Sequence, residues 1–248
     1  MKRVYILIII FVLLIGAGFF VNKKFSDKSA SSQNHSILDY FKKPLSLPER
    51  EQSQDKILPS SYKISNVPFQ PQAPFANWDQ LHDEACEEAS LVIAKYYLEG
   101  RSLSAEEMDQ EIINMVNWEI ENWGSHRDLT ASETVELAKN YYGLNGLEVK
   151  TIDSIDDIKF EIAQNYPVIV PAAGRLLGNP YYRQPGPVYH MVVVTGYNQG
   201  IIITNDIGTR HGENYEYSEN IFYNAIHDWK GTPDNIEEGQ KVMIIIKN

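Results

Sequence analysis

Three side chains in this sequence could together make and break an acyl bond: Cys86, His190 and Asp206. A thiol becomes a nucleophile when a base takes its proton. An imidazole serves as that base when a carboxylate fixes its tautomer and stabilises its cation. Cys86 is the only cysteine, so no disulfide within the chain claims it. Taken singly, Cys86 reads as a small buried hydrophobe, His190 as a packed histidine and Asp206 as a turn acid. Their surroundings argue otherwise.

In Gln80 to Tyr97, QLHDEACEEASLVIAKYY, the apolar positions Ala89, Val92, Ile93 and Tyr96 repeat at helical spacing. Asp83 and Glu84 have the composition of a helix N-terminus. The spacing predicts an amphipathic helix with Cys86 in its first turn, where unpaired N–H groups and the positive end of the dipole lower a thiol pKa. Gln80, in the incoming loop, brings a side-chain amide within reach of an oxyanion formed beside the sulfur. No Cys/His cluster has zinc spacing, and His82 with Cys86 finds no further ligands, so no metal or cofactor is expected.

Val188 to Tyr197 (VYHMVVVTGY) and Gly200 to Asp206 (GIIITND) are the strongest strand signals, joined by Asn198-Gln199-Gly200. An antiparallel hairpin brings His190, near the start of one strand, and Asp206, at the end of the other, to the same end of a sheet. Asn205 is the adjacent candidate for the third role. Strand alternation sends residues 205 and 206 to opposite faces, so only one of them meets His190.

The remaining elements must hold this constellation. A short strand is expected over Tyr62 to Phe69. Ser104 with Glu107, Thr130 with Glu133 and Ser154 with Asp157 mark three helix starts; the second helix is stopped by Gly143 and the third by Asn165-Tyr166-Pro167. Strands are expected at Leu147 to Thr151, Pro167 to Ala172, Asn214 to Tyr217 and Lys241 to Ile246, with a short helix from Ser218 to His227. The Gly- and Pro-rich AGRLLGNPYYRQPGPVY reads as a loop with no regular element. Helices first and sheet last indicate an α+β domain.

Charge and hydropathy divide the 248 residues further. Val4 to Val21 is an unbroken apolar run flanked by lysines. At about 1.5 Å per residue it reaches about 27 Å, close to a bilayer core of about 30 Å. Residues 1–22 are expected to be a transmembrane anchor, with a cleaved signal peptide as the alternative. Residues 23–63, rich in Ser, Lys, Gln and Pro, read as a tether, and 64–248 as one domain outside the cytoplasm. Residues 1–63 carry ten Lys and Arg against five Asp and Glu, the remainder twelve against twenty-eight. A domain this acidic repels phosphate backbones, which argues against nucleic acid as a partner and favours cationic peptides.

The order Gln-x5-Cys, then a histidine heading a Val-rich strand with a following Gly-Tyr, then an aspartate ending the next strand, resembles the papain-like cysteine peptidases. It is most similar to those that process the double-glycine leaders of bacteriocins, in their standalone, membrane-anchored form. The resemblance rests on QLHDEACEEAS, PVIVPA and YHMVVVTGYNQGIIITND. It implies a papain-like fold and hydrolysis of peptide bonds through a thioester. Cys86 would be nucleophile, His190 base and then acid, Asp206 the orienting acid, and Gln80 with the Cys86 backbone N–H the oxyanion hole. Glu87 stands where the family often has glycine, and Ile207 where it commonly has proline. Two other functions stay open at this point: a catalytically silent peptide-binding relative, and a cell-wall amidase or transpeptidase with the same triad. For the N-terminal run the expected outcome is that alkaline extraction leaves the full-length chain in the membrane pellet. Recovery of a shortened, freely secreted form would instead show a cleaved signal.

Overall fold

The computed structural model describes residues 58–247. Val4 to Val21 and most of the tether lie outside the described residues, among which no helix is long and apolar enough to cross a membrane. Seven strands within them build one antiparallel sheet: β1 (Ser61–Lys63), β2 (Leu147–Thr151), β3 (Val168–Ala173), β4 (Tyr189–Asn198), β5 (Ile201–Asn205), β6 (Tyr215–Ser218) and β7 (Val242–Ile246). Their order is β2-β7-β3-β4-β5-β6, with β1 pairing the far end of β4. β4 is buried at every position but Asn198, as expected of a strand covered on both faces. The expected strand from Tyr62 to Phe69 is reduced to three residues. Asn66 takes a left-handed φ of 61°, and Pro68 has no N–H to give to a ladder.

Seven helices cover the sheet: α1 (Gln80–Asp83), α2 (Cys86–Leu98), α3 (Ala105–Trp123), α4 (Ala131–Leu137), α5 (Ile155–Ala163), α6 (Gly174–Leu177) and α7 (Glu219–Ala225). The three capping boxes form as their spacing predicts, at the starts of α3, α4 and α5. α4 continues through one π turn to Tyr142 and stops at Gly143, whose φ of 72° suits a residue without Cβ. α6 corrects the expectation of a loop without regular structure, and a 3-10 turn at Pro233–Glu238 was not anticipated.

Alternation along β4 divides the interior into two cores. Tyr189, Met191 and Val193, with Ile169 and Ile244, face α2, α3 and α4. Val192 and Val194, with Val168, Val170 and Ile245, face α5, α6 and α7. Ahead of α2, Gln80–Asp83 form the separate turn α1, and the chain breaks at Glu84 and Ala85. α2 starts at Cys86 as expected but is buried from Cys86 through Ala94 rather than amphipathic, because β4 lies on one side and α3 and α4 on others.

Burial on all sides carries acids inward as well. Glu88 on α2 and Glu119 on α3 are fully buried against each other, and His126 Nε2 lies 3.2 Å from Glu88 Oε1. Burial pushes Glu88 up to about 8. Burial, with Glu88 as hydrogen-bond partner, pushes Glu119 up to about 10. Desolvation therefore holds the two carboxyls protonated in the fold. The unfolded chain releases these protons above about pH 4.5. Their contribution to stability is full below that point and is lost as pH rises through 8 and 10. Thermal melts should show lower stability at pH 8.5 than at pH 6. Glu88→Gln, which keeps the shape of the side chain and cannot ionise, should recover on the order of 2 kcal/mol at the higher pH and flatten the dependence.

Candidate active site

Cys86 is the first residue of α2, as the spacing predicts, and is 5 % exposed. Its thiol donates to Glu87 Oε2 at 3.0 Å. Burial, and then the charge of Glu87, push the thiol well above its usual range. This corrects the expectation that the helix N-terminus leaves a thiolate at rest. A terminal dipole is worth about 0.3–1 kcal/mol at a surface, less than the cost of an anion buried beside carboxyls.

His190 is the second residue of β4 and is 2 % exposed. Its Nε2 lies 2.9 Å from Asp206 Oδ1, which leaves Nδ1 as the nitrogen for a thiol proton. Backbone walls fix the ring. A Cβ at Gly208 would come within 2.9 Å of His190 Cε1, and one at Gly174 within 3.1 Å of His190 Cβ. The Tyr182 ring meets the imidazole edge-on, with centroids 5.4 Å apart.

Asp206 follows the last residue of β5 and has no exposed surface. Its Oδ1 also accepts from the Gly208 N–H at 3.0 Å. Oδ2 accepts from Tyr182 Oη at 2.6 Å, from Asn179 Nδ2 at 3.0 Å and from Tyr217 Oη. Burial alone would raise this carboxyl. The His190 contact and the two tyrosine hydroxyls outweigh it and hold Asp206 below its ordinary value. Asn205 points the other way, giving Nδ2 to the carbonyls of Val67 (3.3 Å) and Pro68 (3.0 Å) and accepting from Asn214 N–H. Of the two neighbours, only Asp206 meets His190.

Cys86 and His190 line one cleft of about 1190 Å³. Asp83, Glu84 and Asp128 edge it on the α2 side, and the loop carrying Tyr181, Tyr182 and Arg183 edges it opposite. Arg183 reaches Asp83 at 3.4 Å across the gap.

Gln80 is not part of this cleft. Asp79 caps α1 by accepting the His82 N–H at 3.0 Å, so Gln80 starts an exposed helical turn. Gln72 lines the cleft instead, 3 % exposed, with its backbone N–H on the Ile207 carbonyl, one residue past Asp206. Its Nε2 donates to the carbonyls of His82 (2.7 Å) and Asp83 (3.3 Å). The segment QPQAPFANWDQ holds three glutamines, and spacing from Cys86 does not say which one the loop folds inward. Tyr181 and Tyr182 line the cleft, a place the loop before His190 left open to them, but the meeting of Asn179, Tyr182 and Tyr217 at Asp206 was not expected, because it depends on how two loops close over the sheet. His82, an expected non-ligand, is buried between Asp79 (2.8 Å) and Asp109 (3.1 Å). Among the described residues no group of His, Cys, Asp and Glu is arranged to hold a metal ion.

Comparison with known proteins bears on this arrangement. The crystal structure of a putative C39-like peptidase from Bacillus anthracis superposes with a TM-score of 0.50 at 17% identity, covering 77% of this chain and 99% of that one. The peptidase domain of Streptococcus ComA, a bi-functional ABC transporter of a quorum-sensing pathway, matches with a TM-score of 0.38 at 17% identity, over 75% and 99% of the two chains. No curated protein sequence matches. The pattern of the Peptidase_C39 like family matches residues 64–234, most of the described domain, and the chain belongs to that family.

Proposed function

We propose that this protein is a cysteine peptidase that hydrolyses peptide bonds through a thioester on Cys86, with His190 as base and then acid and Asp206 as its orienting carboxylate. The observation that carries the reading is the buried His190–Asp206 contact of 2.9 Å in the cleft that also holds Cys86. His190 Nδ1 takes the thiol proton, and Sγ forms a bond to the scissile carbonyl carbon while the carbonyl electrons move to oxygen. As the oxyanion collapses, the C–N bond breaks and the amine leaves with the proton from His190. Water repeats the sequence in reverse and frees Cys86.

Gln72 takes the oxyanion role that the spacing assigned to Gln80. Its Nε2 hydrogen on the long 3.3 Å contact to Asp83 is the one that can turn to a developing oxyanion, alongside the Cys86 backbone N–H. Peptide substrates fit a cleft lined by aromatic rings with acidic and basic edges. The apolar run Val4 to Val21 would hold the domain at a membrane, on its outer side.

Incubation with a library of unmodified peptides, read by mass spectrometry, tests the assignment. The wild-type chain should cut, and Cys86→Ala should not. Gln72→Ala should lower kcat by about 10²–10³, whereas Gln80→Ala should stay within about threefold. Cleavage that survives Cys86→Ala would sink the peptidase reading, and a larger loss at Gln80 than at Gln72 would overturn the oxyanion assignment.

A further inference from the structure

Glu87 is the least expected neighbour of the nucleophile. It is fully buried, and its two oxygens are both engaged: Oε1 accepts the Leu129 N–H at 2.6 Å and Oε2 lies 3.0 Å from Cys86 Sγ. The groups that face it from the surrounding elements are mostly acids. Glu88 follows it on α2, Asp128 stands on the loop before α4, and the Tyr189 hydroxyl comes from β4. The cation that bears on it, Arg127, is committed to Glu133 at 2.6 Å. A carboxyl so placed has no cation paired to it to support ionisation and one hydrogen-bond partner, Sγ, that changes between thiol and thiolate during the proposed reaction.

We propose that Glu87 is a catalytic residue that works as a neutral acid, donating its own proton in a hydrogen bond to the Cys86 sulfur once His190 has taken the thiol proton. This rests on Cys86 being the nucleophile of the proposed peptidase. The two protons stay distinct. The thiol proton moves to His190 Nδ1 and later to the leaving amine, while the carboxyl proton remains on Glu87 and only turns toward sulfur. In the resting state the thiol is the donor and Glu87 the acceptor; with the thiolate formed, the direction reverses across the same 3.0 Å contact. A buried donor to an anion is among the stronger hydrogen bonds, so it offsets part of the desolvation that otherwise keeps the thiol protonated.

Burial, and then the charge of Asp128, push Glu87 up to about 8, which sets the range over which it can act. Below that pH it is a donor. Above it the ionised carboxylate repels the thiolate, so reactivity should decline on the alkaline side, where an ordinary thiol gains reactivity.

Because Cys86 is the only cysteine, the rate of iodoacetamide labelling of the full-length chain reads this sulfur alone. The wild type should lose about tenfold in labelling rate between pH 7.5 and pH 9.5, measured where tryptophan fluorescence stays native. Glu87→Gln keeps a donor at every pH. It should label within about threefold of wild type at pH 7 and show no alkaline decline. Glu87→Leu keeps the volume without the donor and should label about tenfold slower at pH 7. Faster labelling of both variants at pH 7 would mean that Glu87 is an inhibitory anion. Loss of labelling in both across the whole range would make it the base. Equal rates for Gln and Leu would leave it a packing residue. Any of these outcomes overturns the proposal. Should the variants fail to fold, carboxyl 13C NMR of the wild type decides: a glutamate carbon titrating near pH 8 and displaced by Cys86 carbamidomethylation is expected, and its absence refutes the role. A wild type that cuts no peptide but gives these labelling profiles would sink the peptidase reading while supporting Glu87 as the donor.

Discussion

The structure depends on keeping one carboxylate charged where no water reaches it. Asp206 is wholly buried, and a buried carboxylate without partners would take up a proton or be expelled. It is retained because donors arrive from four places: His190 on β4, Gly208 just beyond β5, Asn179 and Tyr182 on the loop between α6 and β4, and Tyr217 on β6. The same convergence fixes the site. Each donor that stabilises the charge also ties a loop or strand to the end of the β4–β5 hairpin, so the imidazole and the cleft wall are positioned by one electrostatic requirement.

The sheet supplies the precision this needs. His190 stands opposite Ala172 on β3, and Val193 opposite Asn205 on β5, so the ladder sets how far the end of β5 lies from the head of β4. A bulge between Val194 and Gly196 adds twist beyond that point, and β1 closes on it so tightly that a Cβ at Gly196 would sit 2.8 Å from the Tyr62 carbonyl. The irregularity begins only after Val194, beyond the part of the strand that carries the histidine. The segment between His190 and Val194 stays regular and fully buried, which is what a side-chain pair held at 2.9 Å requires.

What the sequence made legible follows from how local each signal is. The capping boxes, the Gly143 stop of the helix that begins at Ala131, and the turn at Asn198-Gln199-Gly200 are written within a few residues of where they act, and each appears where the spacing put it. The same holds for Cys86 at the head of α2 and for the meeting of His190 with Asp206 rather than Asn205, since period-two alternation decides the face. That Gln72, rather than Gln80, lines the cleft was not legible because the loop from Val67 to Asp79 is positioned by distant partners: Asn205 on its carbonyls and Ile207 on its N–H. The apolar rhythm of α2 pointed to a helix but not to its burial on every side, because that depends on α3 and α4 arriving from elsewhere in the chain.

That burial explains why the ionisation of Cys86 departs from the simple helix-terminus picture. The positive end of α2 does meet the sulfur, but that first turn lies inside the protein, where burial is the largest cost of a negative charge. With the dipole worth at most about 2 kcal/mol in partly buried settings, it cannot hold a thiolate against that desolvation. The resting thiol is therefore neutral. In the proposed reaction its charge arises with that of the imidazolium, as a pair, when His190 accepts the proton with Asp206 held below its ordinary value behind it. A thiol that stays neutral at rest is shielded from adventitious oxidation, since the exposed thiolate is the reactive species. That restraint follows from the burial of the first turn of α2 against β4, α3 and α4.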